Sequence, residues 1–482
     1  MRRLKILTGE REQHFTLGKV GSQQILVAFD GGRIVSDAGL LAVRALEKPL
    51  RVIADWAARL PDPRAPRFIE HSAEALLTQA VYQILAGYPD FNDAQQLRVD
   101  PLFQVLADVS PEADNPLASA STLARFPYAF TRRQAHQPLE ERPVLRAIRA
   151  AQTGRIKILN GYLVDLFLRT RRAPPAAIIR DVDARDDPVH GRQTLSGYHG
   201  YYQQQQYLPL CVSDGATGFP LAAWLRPGTV HASLGARAIL DTIVTRLRAV
   251  WPAVRIKVRS DNGLAVPGLY DYGEAHGLLY AFGYATNPVL QRATAQALAD
   301  LEWSHHFYRH REPVVQRFES WSDYQAESGP HPRRIVAKVE VTLQGRPRRF
   351  VVTNLQEPAE VVYRDFDVQR GKVPEQPIGE MKNGLHADRL SACGFCANSL
   401  RLLVPTLAYA MVVLFREAVA AVPEVATATV STLRQRLWKI GAVVVTGVRR
   451  IWFHLSETWP HRELWGRVLA AVPAFVRHLP AG

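Results

Sequence analysis

The sequence predicts an α/β protein: a mixed sheet, interrupted by a β-rich insertion and flanked by helical N- and C-terminal regions. Three observations predict it. Two strand-like stretches, Ile178-Ile179-Arg180-Asp181-Val182-Asp183 and Ile256-Lys257-Val258-Arg259-Ser260-Asp261, each end on a carboxylate. An amphipathic stretch over 232–250, closed by Trp251-Pro252, lies between them and supplies the crossover that parallel strands need. Far downstream, Glu375-Gln-Pro-Ile-Gly-Glu380-Met-Lys382 reads as the start of a helix, with carboxylates on one side and a lysine two turns along.

In chain order, residues 1–125 read as mainly helical. Ser36-Asp37 offers a cap for a helix running towards Leu60. Leu76, Leu77, Ala80, Val81, Ile84 and Leu85 form a helical stripe that Gly87 stops. A helical linker over 126–175 carries Leu145, Ile148, Ile156 and Leu163 to Leu168, and ends at Arg171-Arg-Ala-Pro-Pro175. Strands follow over 177–183, 207–212 and 221–225. The last two are joined by the hairpin signal Ser213-Asp-Gly-Ala-Thr-Gly218. After the 232–250 helix come a strand over 254–260, a helix over 269–276 with Gly277 as its C-cap, and a strand over 278–283. Strands one to three antiparallel, with strands one, four and five parallel, make the ribonuclease H-like layout. Residues 176–284 then form the first part of that unit. The layout sets strand one beside strand four, so Asp183 and Asp261 converge at one sheet edge, where open α/β sheets hold ligands.

Residues 285–362 intervene before the fold's last helix. Alternation over 334–343 and 348–355, around Gln344-Gly-Arg-Pro, predicts a hairpin and so a β-rich insertion. Residues 363–415 complete the unit with the Glu375 helix and a buried helix near Leu402. Residues 416–482 read as helical and basic. Over 401–482, nine Arg and one Lys face four Glu, a net of +6. Trp438, Trp452, Trp459 and Trp465 read as core anchors, and His190 and His199 as structural.

Composition bounds the function. A chain of 482 residues calls for two to four domains. A formal charge of +14 and a pI near 9.8 favour an anionic partner. The basic residues are spread along the chain, which favours a folded nucleic-acid-binding protein over a disordered basic arm. Three cysteines argue against a secreted disulfide framework. Cys393-Gly-Phe-Cys396 is half a zinc site and is expected as small buried residues on a helix. The N-terminus lacks the apolar core of a signal peptide. The uncharged run 402–415, interrupted by Pro405, is too short to span a bilayer and predicts a buried helix. No membrane partner and a cytoplasmic location are expected.

Two strand aspartates and one helix glutamate, widely spaced, are what a two-metal nuclease-type site needs. Mg²⁺ takes oxygen ligands, and two such ions clamp the attacking and leaving oxygens of a phosphodiester. Asp181 shares the side-chain parity of Asp183 and is an alternative ligand. Glu380 is an alternative to Glu375. The two are five residues apart, about 500° around a helix, and face different ways. Lys382, seven residues after Glu375, returns to its side and suits a DNA phosphate.

Several phrases resemble one family. They are Asp183-Ala-Arg-Asp-Asp-Pro-Val-His-Gly191, Gly197-Tyr-His-Gly-Tyr-Tyr202, Arg259-Ser-Asp-Asn-Gly263, Arg370-Gly followed by Glu375, Ile378, Glu380 and Lys382, and Ala387-Asp-Arg-Leu-Ser391. Phe29-Asp-Gly-Gly32, Gly87-Tyr-Pro-Asp-Phe-Asn-Asp93 and Leu97-Arg-Val-Asp-Pro101 belong with them. Together they resemble a bacterial insertion-sequence transposase of the DDE class, the subgroup with a β-strand insertion before the catalytic glutamate. The resemblance implies a catalytic, metal-binding triad of Asp183, Asp261 and Glu375, and two Mg²⁺ ions for which Mn²⁺ can substitute. It implies cleavage at double-stranded element ends, strand transfer into target DNA, and a homodimer in the DNA complex. Arg370, Lys382, Arg389, Lys439, Arg449 and Arg450 are the expected DNA contacts. The N-terminal helical region and the basic C-terminal helices, with Arg434 and Arg436 among their cations, are expected to recognise the ends. One departure stands out. The family's Tyr-x2-Arg-x3-Glu-x6-Lys signature keeps its second half, but Arg370 lies five residues before Glu375 and Asp367 stands where the tyrosine would be. Two other readings stay open: a catalytically silent, transposase-derived DNA-binding protein, and a ribonuclease H-type nuclease without strand transfer.

Overall fold

A computed structural model describes residues 15–60, 62–111, 115–129, 154–191, 193–308, 314–327, 329–367 and 377–480. Arg370 and Glu375 lie outside the described residues, as do Leu145 and Ile148 of the linker.

The N-terminal region is helical with three short strands that its sequence did not predict. β1 (Phe15–Val20) and β2 (Gln23–Val27) pair antiparallel, and β3 (Arg33–Val35) follows. The helix expected from Asp37 to Leu60 is divided into Leu41–Leu50 and Val52–Ala58. Pro49 removes a donor from the last turn of the first, and Arg51, at φ +51°, takes the left-handed conformation that stops it. The stripe around Leu77 folds as Ala73–Ala86, with Gly87 at φ +97° as its C-cap. Trp56 Nε1 donates to the Leu159 carbonyl at 3.2 Å, and Tyr162 Oη to that of Val52 at 3.0 Å. These bonds fasten the N-terminal helices to the linker helix Arg155–Arg169.

The central sheet starts with β4 (Ala177–Ala184), whose even residues Ile178 and Val182 enter the main core. β5 (Asp187–Pro188), β6 (Gly197–His199) and β7 (Gln204–Tyr207) form a separate small sheet in the order β5-β7-β6. β8 (Leu210–Asp214) and β9 (Pro220–Trp224) make the expected hairpin. The helix Ala236–Val250 crosses to β10 (Arg255–Ser260), and the helix Pro267–Ala275 to β11 (Leu279–Tyr284). β10 runs parallel to β4 and β11, while β8 is antiparallel to β4. The order β9-β8-β4-β10-β11 is the strand order 3-2-1-4-5 that the sequence predicts.

The segment expected as an insertion extends this sheet. Its helices Pro288–Ala293 and Ala295–Tyr308 precede β12 (Val314–Tyr324), β13 (Arg333–Thr342) and β14 (Arg348–Thr353). β14 pairs antiparallel with β11, which brings the sheet to eight strands. The predicted hairpin is β13–β14. β12 went unread because it is an edge strand, largely exposed and rich in charge, with little alternation.

The buried helix is longer than its uncharged run: Phe395–Ala418, 24 residues, continuing through Pro405. By length and apolarity it could cross a membrane, yet 94% of its apolar window is buried inside the protein. It packs against the helices Ala73–Ala86 and Arg155–Arg169 and against β9, so one core joins the flanking helices to the sheet. The C-terminal region is not wholly helical. β15 (Ala442–Gly447) and β16 (Arg450–Leu455) form a hairpin, and β15 also pairs with β3. Trp438 is a core anchor, but Trp452 is half exposed on β16.

Candidate active site

The register of the sheet builds the site. Arg259 stands opposite Asp181, and Ser260 opposite Val182, across the parallel pair β4–β10. The next residue is Asp183 on β4 and Asp261 just past β10, so continuing the register sets the two level. Arg259 Nε and Nη2 donate to the two Asp181 oxygens at 2.6 and 2.7 Å. That bond shows on which face the odd-numbered residues of both strands lie, and alternation carries Asp183 and Asp261 onto it. Both are partly buried, at the strand C-termini. The same bond occupies Asp181, which corrects its reading as an alternative ligand: its carboxylate is buried in a bidentate ion pair.

Asp261 keeps an extended backbone (φ −73°, ψ −174°) and its Oδ1 accepts from Gly263 N at 3.0 Å, which caps a short turn. Behind it lies Arg226, fully buried, donating to the carbonyls of Leu208, Ala232 and Leu234 at 2.8, 2.6 and 2.9 Å. Burial pushes the Arg226 guanidinium down to about 10, against the pull of Cys211 and Asp261. Beyond β4, Arg185 pairs with the buried Asp187 and donates to the Ala387 carbonyl, tying the strand exit to the Ala387-Asp-Arg phrase. Asp186 accepts from Gln204 Nε2 at 3.0 Å and from Lys382 Nζ at 3.2 Å, while Lys382 also donates to the Asp186 carbonyl at 2.9 Å. Lys382 is therefore brought to the acidic end of β4, held by Asp186.

Glu380 faces elsewhere. Its oxygens accept from Arg416 Nη1 and Nη2 at 2.8 and 2.6 Å, from Tyr409 Oη at 3.0 Å and from Val430 N at 2.9 Å. So saturated and buried, it is a structural carboxylate, and its reading as an alternative ligand is corrected. Pro377, where the described chain resumes, packs against Gly218 of the β8–β9 turn. Among the described residues no three His, Cys, Asp or Glu side chains converge as a metal site. The donor chemistry of Asp183 and Asp261 nonetheless fits a hard divalent cation: two carboxylates, level on adjacent strand ends, still reached by solvent.

The other predicted DNA contacts divide. Arg389 is exposed. Arg449 and Arg450 are exposed at the tip of a β-hairpin, not on a helix. Lys439 donates to Asp37 Oδ1 at 2.9 Å and lies over the Tyr88 ring. Arg434 is buried and donates to the carbonyls of Leu85 and Ile84 at 2.7 and 2.8 Å, closing the C-terminus of the helix Ala73–Ala86. Its expected phosphate contact is corrected to a helix cap. Cys393 is exposed before the helix that contains Cys396, and Cys211 lies buried opposite Asp183. Sequence reasoning missed Arg226, Arg185 and Gln204. The one pair it could have found is Arg259–Asp181, since the strand alignment that joins Asp183 to Asp261 also joins these two.

A mixed sheet with paired aspartates at the ends of its central parallel strands defines a candidate hydrolase or phosphoryl-transfer site. The family of transposases described as "Transposase DDE domain group 1" matches residues 17–476, and the chain belongs to it. No curated protein matches the chain. A cryo-EM structure of a piggyBac transposase synaptic complex with hairpin DNA is similar over 93% of this chain and 84% of that one, with 11% identity and a TM-score of 0.42.

Proposed function

We propose that this transposase cuts double-stranded DNA at the ends of its own element and joins the resulting 3′-hydroxyl to target DNA. The observation that carries the reading is the parallel register of β4 and β10, which ends with Ser260 opposite Val182 immediately before Asp261 and Asp183, in a chain of the DDE family. These two, with Glu375 as the third ligand, would hold two Mg²⁺ ions, or Mn²⁺ in their place. Bound cations supply Lewis-acid neutralisation at the attacking and leaving oxygens of an in-line displacement. The chain's own residues do the positioning. Arg259 removes Asp181 from the ligand set and stiffens the two strands. Arg226 holds the loop against which the Asp261 turn rests. Lys382, poised at Asp186, would exchange that partner for the phosphate of the scissile strand. Both chemical steps are phosphoryl transfers, and positioning lowers their barriers. The chain acts as a homodimer on paired ends of a bacterial insertion sequence, in the cytoplasm.

The test uses the full-length protein and a DNA fragment bearing the inverted repeats that flank the gene. Wild type should nick the repeat ends in Mg²⁺ or Mn²⁺ and join them to plasmid DNA. Asp183→Ala, Asp261→Ala and Glu375→Gln should each stop both steps and leave end binding within about threefold, because metal ligands need not touch bases. Cleavage by Asp183→Ala or Asp261→Ala near the wild-type rate would show the site to be elsewhere.

A further inference from the structure

The small sheet beside the acidic site carries an aromatic cluster that no step above uses. β6 enters a tight turn, closed by Gln203 N donating to the His199 carbonyl at 2.8 Å, with Gln203 at φ +52°. Tyr201 and Tyr202 stand in that turn. Their ring centroids are 5.0 Å apart, nearly perpendicular, and the His199 ring lies 5.1 Å from that of Tyr202. His199 pairs directly with Gln204 across β6–β7, so the two side chains share a face. Gln204 is the residue that bonds Asp186. The ring cluster thus lies on the Asp186 side of the small sheet, and burial, helped by the charges of Asp186 and Asp261, holds the Tyr202 phenol above its usual range. Tyr201 is 84% exposed and Tyr202 37%. Single exposed tyrosines are ordinary on a surface. A contiguous histidine and two tyrosines, tied through Gln204 to Asp186 just beyond β4, are not explained by packing.

We propose that Tyr201 and Tyr202, backed by His199, form a stacking platform for an unpaired base of the DNA end next to the scissile phosphate. The inference rests on the transposase reading. An aromatic face accepts any base, because every base has a π face, and it holds single-stranded nucleotides without reading their sequence. Placed beside Asp186, at the exit of β4, the platform would hold one base out of the duplex and so bend the strand towards the carboxylates. The turn's left-handed closure keeps the rings in place before DNA arrives.

The experiment uses the full chain with duplexes of the inverted-repeat end, carrying 2-aminopurine at each position flanking the cleavage site in turn. Wild type should quench the probe at one position relative to an unstacked base. Tyr201→Ala and Tyr202→Ala should raise emission there and slow cleavage about tenfold, the order expected for one lost stack. Tyr201→Phe and Tyr202→Phe should restore both. An abasic site at that position should bring wild type and the alanine variants to the same rate. Wild-type cleavage with emission and rate unchanged in the alanine variants would overturn the platform. A shift in the oligomeric state of the DNA-free alanine variants, with unchanged emission, would assign the rings to a protein contact and overturn it too. Failure of wild type itself to cut the repeat ends would instead strike the transposase reading.

Discussion

Asp181 and Asp183 lie two residues apart on one strand face and serve different ends. Asp181 is the counter-ion of a guanidinium that is 1% exposed, while Asp183 sits at the strand exit level with Asp261. Removing one member of a buried pair strands the other charge. Asp181→Ala should therefore cost about 3 kcal/mol in urea denaturation, whereas Asp183→Ala, at a half-buried strand exit, should cost less stability and remove cleavage. Equal stability of the two variants would refute this division. Glu380 follows the logic of Asp181: Glu380→Gln should lower the melting temperature, because Arg416 loses its charged partner while buried. Glu47 behaves oppositely. Burial raises its carboxyl above the ordinary value, with Ile53 N as its hydrogen-bond donor at 3.2 Å. The folded chain then holds this proton more tightly than the unfolded chain does. The group is neutral in effect below the ordinary glutamate pKa of about 4 and destabilises increasingly as pH rises through the raised one. Glu47→Gln keeps the acceptor and should stabilise the protein at pH 7 but not in acid. Melting curves that shift equally at both pH values would contradict it.

At the scale of elements, the two flanking regions hold each other. β3 pairs with β15, Ala38 N donates to the Ile440 carbonyl at 3.0 Å, and Arg434 closes the helix Ala73–Ala86. The contact is closest at Gly39, where a Cβ would fall 1.7 Å from the Leu437 carbonyl oxygen. Gly39→Ala must push two backbones apart and should cost about 3 kcal/mol, seen as a lower urea midpoint with an unchanged slope. The sequence revealed what local periodicity encodes: seven of the eight strands of the sheet, their crossover helices, the stop at Gly87, and the pairing of the strand before Asp183 with the strand before Asp261. It hid what only tertiary contact decides. The run Val443-Val444-Val445 before Gly447 is a strand signal, but the helical character of its neighbours masked it. The capping role of Arg434 depends on a helix some 350 positions earlier in the chain. The charge of β12 disguised an edge strand. The bidentate pair of Asp181 was readable from register alone, since Arg259 stands opposite it.

Across the whole molecule, a charge of +14 does not bind DNA uniformly, because part of it is consumed by the fold. Arg180, Arg226 and Arg259 are fully buried. Of the basic C-terminal groups, Arg434 faces the N-terminal region instead of solvent, and Lys439, only half-buried, is paired there with Asp37. Arg436, Arg449 and Arg450 remain exposed, the last two beside Val448 at the tip of a hairpin that projects from the β3–β15 seam. A phosphate contact released by mutation lowers affinity for every sequence and reduces the slope of log K against log salt by about one. Arg449→Ala with Arg450→Ala should therefore flatten that slope by up to about two and weaken specific and nonspecific duplexes alike. Lys439→Ala should leave the slope unchanged and lower the melting temperature, since its ion pair with Asp37 joins the two ends of the fold. Salt titrations of end binding by fluorescence anisotropy separate these outcomes. A slope that moved with Lys439 and not with the hairpin arginines would relocate the DNA path to the N-terminal seam and away from the hairpin tip.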